Sequence, residues 1–285
     1  MPVSAGAEPV LSVVIPVHNG ESTLGEQLDA VLAATEPSFE VVVVDNGSTD
    51  GTADLVRARA LVDHRVRLVD ASTKSGEAHA RNEGVRAART PFVAFCDADD
   101  VVADGWVHAM WQGLVEHDFV VGPIETYRLN PPWLAEMRGT ALFSRMPHTV
   151  NDIPFGHGCN FGVRREVAAS IGFDEGVRIG ADADFSVRAH LAGVDLAWLP
   201  GATVHYRFRP TVRSRWTQAV AYGRASYHLH QVVGVEWGPV TRVRSQLRRI
   251  GWLIRSVPRL HRRDRRARWM WTLALVVGEI VGGDP

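Results

Sequence analysis

The sequence predicts an α/β fold: a mainly parallel sheet flanked by helices, with a helical C-terminal extension. Three observations carry that expectation. Over roughly the first third of the chain, short apolar runs rich in β-branched residues alternate with segments of helical spacing, the pattern of a sheet covered on its faces. The connections between them are short, as in βαβ units. Each run ends in polar residues, at His18-Asn19, Asp45-Asn46, Asp70-Ala71-Ser72 and Asp97-Ala98-Asp99, and ligands of open α/β sheets bind at that edge.

Taken in order, residues 10–16 form a first apolar strand. Residues 20–35 follow as a helix, with Leu24, Leu28, Val31 and Leu32 on one face and Thr23 and Glu26 spaced as a capping box. Residues 39–44 are a second strand ending at Asp45, and the turn Asn46-Gly47-Ser48 leads to a helix over 52–60. Residues 66–69 are a third strand, 76–88 a third helix and 92–96 a fourth strand. This last run, Phe-Val-Ala-Phe-Cys, is too short for a helix and reads as a strand buried on both faces. It runs straight into Asp97, Asp99 and Asp100. Asp97 and Asp99 stand two apart, so an extended segment points them the same way. Two hard oxygen ligands on one side suit Mg2+ or Mn2+ better than zinc, and such an ion could hold a diphosphate. Taken alone, the same acids also fit a polar loop that closes the strand. For Asp100 the preferred reading is a cap for the helix beginning near Trp106.

At 285 residues the chain is one large domain or two small ones. Its hydrophobic fraction of 46% leaves ample core. Two cysteines, Cys96 and Cys159, make no disulfide framework, so a reduced, cytoplasmic setting is expected, with Cys96 a small core residue. The N-terminus has neither a basic start nor an apolar run, so no signal peptide is expected. No stretch reaches the roughly 18 uninterrupted apolar residues of a membrane span. A net charge of −1 argues against a nucleic-acid partner. The charge is uneven, however: residues 242–268 hold eleven arginines and a single acid, Asp264.

Polar groups repeated along one sheet edge suggest a nucleotide site, and several types are disfavoured. The turn after the first strand, P-V-H-N-G-E-S, lacks the glycines of a dinucleotide-binding loop, and no P-loop lysine motif is present. A haloacid-type phosphatase would carry D-x-D-x-T after its first strand. Here the acids follow the fourth, and Val101 stands in the threonine position. A nucleotidyltransferase would want a glycine- and lysine-rich first loop, which Glu21-Ser22-Thr23 does not supply.

Four stretches of the donor half, V-V-I-P-V-H-N-G, V-V-V-V-D-N-G-S-T-D-G-T, A-R-N-E-G and F-C-D-A-D-D, resemble family 2 glycosyltransferases with the GT-A fold. The resemblance continues through residues 158–175, through G-A-D-A-D-F-S-V-R-A-H-L-A-G at 180–193 and through L-P-G-A-T-V-H-Y at 199–206. It covers about residues 11–209. It implies a GT-A domain over 1–210, with a donor half of about 10–105 and an acceptor half of about 106–210, then an extension over 211–285. It implies transfer from a nucleotide-diphospho-sugar, a UDP-sugar foremost, to a hydroxyl acceptor that is a glycan, a lipid-linked molecule or a small molecule. Asp99 would ligate Mn2+ or Mg2+ directly, with Asp97 nearer the ribose and metal-bound water. His205 would approach the metal from the other side, as a histidine does in some members, although a lone histidine on a strand is more often a packed core or surface residue. Pro16, Val17 and His18 would line the base, and Asp45 would bond it or else serve to form the turn before Asn46-Gly47. Gly76 would lie near the diphosphate or sugar, and Arg81 is either a phosphate contact there or a solvent-facing helix residue. Asp182 matches the general base, while Asp184 would hold the loop or cap its helix. His157 and Asn160 would lie on the acceptor side. Ala181 departs from the pattern, where glutamate is common. The rival reading is a non-catalytic nucleotide-sugar-binding protein on the same fold.

Beyond residue 211 the chain reads as helices. V-R-S-R-W at 212–216 lacks the glutamine of the processive Q-x-x-R-W motif, so single-sugar transfer is expected. The arginines of 242–268 are interleaved with Leu247, Ile250, Trp252, Leu253 and Ile254 and followed by Trp269 and Trp271. This pattern fits a peripheral helix on an anionic membrane surface, on the inner face of the membrane, or a helix packed on the catalytic domain.

Overall fold

The structure is a computed structural model that describes residues 8–137, 144–149, 152–232 and 239–281. The chain falls into two compact units, Met1–Glu125 with Ser144–Tyr206, and Thr126–Phe143 with Arg207–Pro285.

The first unit begins with the expected alternation: β1 (Leu11–Val17), α1 (Leu24–Leu32), β2 (Phe39–Asp45), α2 (Thr52–Val62), β3 (Val66–Asp70), α3 (Glu77–Ala87) and β4 (Phe92–Cys96). β5 (Val101–Val102), α4 (Trp106–Glu116), β6 (Phe119–Val121) and β7 (Ile124–Glu125) follow. The short α5 (Pro132–Ala135) belongs to the second unit. The chain returns with β8 (Asn160–Arg164), α6 (Arg165–Ile171), α7 (Ala181–Leu191), β9 (Leu196–Trp198) and β10 (Val204–His205). Seven strands form one sheet in the order β3-β2-β1-β4-β8-β6-β9. β1 runs parallel to β2 and β4, and β2 parallel to β3, whereas β8 is antiparallel to both β4 and β6. β5, β10 and β7 make a separate three-stranded sheet.

Alternation within the strands builds two cores, one on each face. Val13 and Ile15 join Leu24, Leu28 and Val31 of α1 on one side, while Val14, Val42 and Val44 join Ala78 and Val85 of α3 on the other. The second core continues as an aromatic stack: Phe95 of β4 lies 4.9 Å from Phe161 of β8, and Phe173 lies 4.5 Å from Phe185 of α7. Such pairs add about 0.5–1.5 kcal/mol each beyond the area they bury. This stack ties the segment carrying the strand-end acids to the segment carrying Asp182.

Two local expectations are corrected. Thr23 stands at the N-cap of α1 but makes no side-chain cap bond. The turn before it closes instead through backbone, with the Thr23 and Leu24 N–H groups donating to the Gly20 carbonyl. Asp100 does not cap α4: β5 intervenes, and the cap is Gly105 in the left-handed region at φ 80°.

In the second unit, α8 (Val212–Val232), α9 (Pro239–Ser256) and α10 (Arg263–Val281) supply the helical C-terminal region. α8 and α10 meet at glycines. A Cβ at Gly223 would lie 2.3 Å from the Leu275 carbonyl oxygen, and one at Gly278 would lie 2.1 Å from that of Val220. The Tyr222 and Trp271 rings pack edge to face at 6.0 Å. Buried Glu279 of α10 pairs with Arg249 of α9. The apolar part of α10 is therefore partly internal, whereas Leu247, Ile250 and Ile254 form an exposed stripe on α9. No helix among the described residues is long and apolar enough to cross a membrane.

Candidate active site

The carboxyl ends of β1, β2 and β4 lie side by side, because these strands are parallel and in register. Their loops are stapled together. The Asn19 N–H donates to Ser48 Oγ at 2.8 Å, the Thr49 N–H to Asn19 Oδ1 at 2.8 Å and the Gly20 N–H to Thr52 Oγ1 at 2.8 Å. Asn19 adopts φ 55°, a turn that asparagine tolerates. Pro16 is half-buried and Val17 buried at the strand end, while His18 is exposed, its Nδ1 3.0 Å from the Asn46 carbonyl oxygen. Asp45 is half-buried and accepts the Ser48 N–H at 2.9 Å, so one carboxylate oxygen closes the turn.

Asn46 joins this edge to the next loop. Its amide donates to the Ala71 and Lys74 carbonyls at 2.6 and 2.8 Å and accepts the Gly76 N–H at 2.8 Å. Gly76 opens α3 at φ 142°, a conformation closed to other residues, and a Cβ there would meet nothing within 4 Å. The loop around Gly76 is exposed.

Arg81 is the hub of the site. It is 1% exposed, with Nη2 2.5 Å from Glu77 Oε1 and 3.5 Å from Asp97 Oδ1. Burial works against its charge most strongly, but Glu77, Asp97 and Asp182 together outweigh burial and hold its pKa above the ordinary value. The guanidinium packs against Gly158 so closely that a Cβ there would lie 2.1 Å from Nη2. The Gly158 N–H donates to Asp182 Oδ2 at 2.8 Å, and the Ala183 N–H to Asp182 Oδ1 at 2.9 Å. Asp182 is thus oriented by two backbone bonds at the start of α7, within electrostatic reach of Arg81 and Asp97.

Asp97 is only partly accessible. Burial, then repulsion from Glu77 against the pull of Arg81, then repulsion from Asp99 and Asp182, push its pKa up to about 8. Its backbone is fixed by the buried Gln27 of α1, which donates to the Asp97 carbonyl and accepts the Val102 N–H, each at 2.9 Å. Asp99 is half-buried and Asp100 buried. Ligand atoms of Asp97, Asp100 and Cys159 lie within 4.8 Å of one another, the one such group of three among the described residues. The expected set was Asp97, Asp99 and His205, so Asp100 and Cys159 are additions of the structure. Burial and the carboxylates of Asp100, Asp97 and Asp182 push the Cys159 thiol well above its ordinary pKa. Carboxylate oxygens that repel one another when ionised fit a hard divalent cation, whose charge would favour their ionised forms.

His205 sits on β10, in register with Val101 of β5, its Nδ1 2.7 Å from Glu125 Oε2 of β7. His157 is half-buried, its ring 5.3 Å from that of Phe155. Two residues expected on the acceptor side lie inside the protein. Asn160 is 0% exposed, accepts the Trp106 indole N–H and donates to the Pro123 and Ala202 carbonyls, each at 2.8 Å. With its amide engaged in this way it has no route to a substrate. Asp184 is 1% exposed and grips Arg188 at 2.7 Å, which in turn donates to the Ile171 and Gly172 carbonyls. It holds the loop after α6.

Gln27, Asn46, Glu77 and Glu125 support the site and were not singled out by the sequence. Asn46 lay within a recognised turn, and Glu77 stands at i−4 to Arg81 on one helix, a spacing that suggests pairing. Gln27 and Glu125 find their partners only through the tertiary fold.

A mainly parallel sheet whose edge bears paired carboxylates, approached by the further carboxylate of Asp182 on α7, is an architecture of the GT-A fold class. Residues 12–172 match Glycosyl transferase family 2, and the chain belongs to that family. Glycosyltransferase GlyG of Streptococcus pneumoniae is 32% identical over 120 residues, covering 41% of this chain and 40% of the relative. Glycosyltransferase AglE of Haloferax volcanii is 28% identical over 195 residues, covering 67% and 64%. The chain therefore spans less than two thirds of these relatives' own lengths. Among solved structures, the mannosyltransferase PcManGT from Pyrobaculum calidifontis, in complex with GDP-Man and Mn2+, superposes with a TM-score of 0.65 at 20% identity over 98% of this chain and 89% of that one. S. aureus TarS 1-349 in complex with UDP-GlcNAc gives 0.55 at 20% identity over 79% and 70%. These likenesses establish the fold.

Proposed function

We propose that the protein is an inverting, non-processive glycosyltransferase that moves one sugar from a nucleotide-diphospho-sugar, a UDP-sugar foremost, to a hydroxyl acceptor with the help of Mn2+ or Mg2+. The observation that carries it is the convergence on Arg81 of Asp97, from the donor half, and Asp182, from the acceptor half. Pro16, Val17 and His18 would receive the base, with Asp45 bonding its edge. Gly76 leaves room for a phosphate to approach the backbone, and Arg81 balances charge at the diphosphate. Asp97 and Asp99 would hold the cation, with Asp100 beside them. His205, turned by Glu125, would reach it from the neighbouring strand, as carboxylate-oriented histidines do. The ion would neutralise charge on the departing diphosphate. Asp182, held by two backbone N–H groups, would take the proton of the acceptor hydroxyl as it attacks, and a single base facing a single leaving group inverts the anomeric centre. His157 would border the acceptor. Val212, in place of the processive glutamine, supports transfer of one sugar. The nucleotide-sugar neighbours support a nucleotide-sugar donor.

The second unit supports association with an anionic membrane surface. The exposed stripe of Leu247, Ile250 and Ile254 on α9 is flanked by exposed Arg248 and Arg255, the arrangement of an interfacial helix. Leu247→Glu with Ile254→Glu should release the protein from vesicles rich in anionic lipid without changing its melting temperature. Equal sedimentation would retire this part of the reading.

Thermal shift with UDP-, GDP- and dTDP-sugars and Mn2+, followed by assay of released nucleotide diphosphate, tests the transfer reading. At least one donor should raise the melting temperature and be consumed. Asp99→Ala should stay folded, bind the nucleotide more weakly and lose turnover. Donor binding with no turnover on any acceptor would favour a binding protein, and a fully active Asp99→Ala enzyme would remove the metal assignment.

A further inference from the structure

A cleft of about 280 Å³ is lined wholly by residues of the second unit. Its lining combines three tryptophans, Trp133, Trp216 and Trp271, with three arginines, Arg215, Arg263 and Arg266. We propose that this cleft binds a phosphate attached to an apolar chain, the head and first methylenes of a single lipid phosphate drawn from a bilayer.

Charge complementarity identifies the occupant. Among the described residues, no acidic side chain lines the cleft. Asp264, the one acid of the basic stretch, is not part of the lining and pairs with Arg262 at 3.2 Å and Arg265 at 3.7 Å. Arg263 and Arg266 are exposed and make no ion pair among the described residues. Arg215, at the wall, is 8% exposed; it donates to the Arg209 and Pro210 carbonyls at 2.7 and 3.0 Å and sits 5.9 Å from the Trp133 ring. Burial alone depresses its pKa, with no carboxylate offsetting it. A buried guanidinium flanked by two open ones suits a phosphate, which accepts the planar N–H fork of arginine in pairs.

The apolar half of the lining argues against a bare anion. Indole faces beside guanidinium groups suit a molecule with a polar head and an apolar body. The volume is at the small end of the roughly 300–1,000 Å³ typical of ligand pockets. It suits the head and the start of a chain, the remainder staying in the bilayer. The proposal shares with the surface reading only the sign of the charge. α9 would touch many lipids through its exposed stripe, whereas this cleft would select one.

Titration of the full chain with dodecyl phosphate below its micellar concentration, read by intrinsic tryptophan fluorescence, tests the proposal. Dodecyl phosphate should bind with a saturable change. Arg263→Gln with Arg266→Gln should weaken it about tenfold or more, the scale of lost charge-assisted bonds. Arg262→Gln removes the same kind of charge from outside the cleft and should leave binding unchanged. The Leu247→Glu, Ile254→Glu variant should keep dodecyl phosphate binding even where it loses vesicles, so failure of the surface reading is told apart from failure of this one. Equal binding of dodecyl maltoside would overturn the phosphate assignment, and displacement by inorganic phosphate at similar concentration would overturn the lipid assignment. No saturable change, or equal loss in Arg262→Gln, would overturn the site.

Discussion

Removing the Arg81 guanidinium tests whether one buried cation organises the active site. Arg81→Gln leaves Asp97 facing Glu77, Asp99 and Asp182 without its counter-ion. Breaking a buried ion pair costs about 3–5 kcal/mol. Glu77 is 54% exposed in its side chain and can turn to water, so the lower end applies, about 3 kcal/mol. In a unit of this size that is a fall in melting temperature of about 6–12 °C. The Asp97 carboxyl, already at about 8 and so mostly protonated at neutral pH, should rise further, making its proton harder for a cation to displace. Calorimetric titration of UDP with Mn2+ should therefore show reduced affinity that recovers as the pH is raised beyond about 8. Arg81→Lys, a point charge without the fork, should fall between. If Arg81→Gln melts with the wild type and binds UDP·Mn2+ equally well at neutral pH, Arg81 is packing rather than the electrostatic centre.

Other outcomes follow from the same contacts. Asp182→Asn should keep donor binding and lose about 10²–10⁴-fold in turnover. Asp184→Asn should instead lower stability by loosening Arg188, with near-normal turnover in the folded fraction; the reverse ranking in a rate assay would refute the base assignment. Glu175 is bonded by Lys74 and Asn82 and neighboured by His79, which lowers its pKa from 4.5 to about 2. A depressed carboxyl stabilises the fold above its unfolded pKa and loses that contribution as the pH falls toward about 2. Undiminished, the shift would be worth about 3 kcal/mol; screening of the half-exposed Lys74 reduces it to about 1 kcal/mol. Urea melts should thus show Glu175→Gln less stable than wild type near neutral pH and converging with it in acid, and a gap independent of pH would refute the assignment.

Much of the first unit was legible in the sequence because its signals are local. The valine run of β2 and the Phe92–Cys96 strand end where polarity changes, and both appear within a residue of their expected limits. The acidic edge was legible for the same reason. What escaped depends on contacts between distant segments. Nothing near Asn160 announces that Trp106, Pro123 and Ala202 will consume its amide. Asp182 and Asp184 look alike in A-D-A-D, and only the helical turn, which puts Arg188 below Asp184, separates them. Asp100 resembled a cap because the two-residue β5 is too short to leave a pattern. In the tail, composition suggested an amphipathic surface without saying which helix is covered. Glycine contacts between α8 and α10 decide that, leaving the stripe to α9.

The antiparallel pairing of β8 with β4 has a consequence for how the molecule breathes. β4 is bonded on one side to β1 and on the other to β8, with Cys96 opposite Asn160. Hydrogen exchange in such an inner strand requires opening on the scale of the whole unit, whereas exposed loops exchange through small local fluctuations. Amide protons of Phe95 and Phe161 should persist longest and those of Ser72 to Ser75 should vanish early. The carboxylates of Asp97 and Asp99 are thus suspended from the slowest-opening part of the unit, while the loop before Gly76 can open and reclose many times over. Traffic past that loop need not disturb the alignment of the acids.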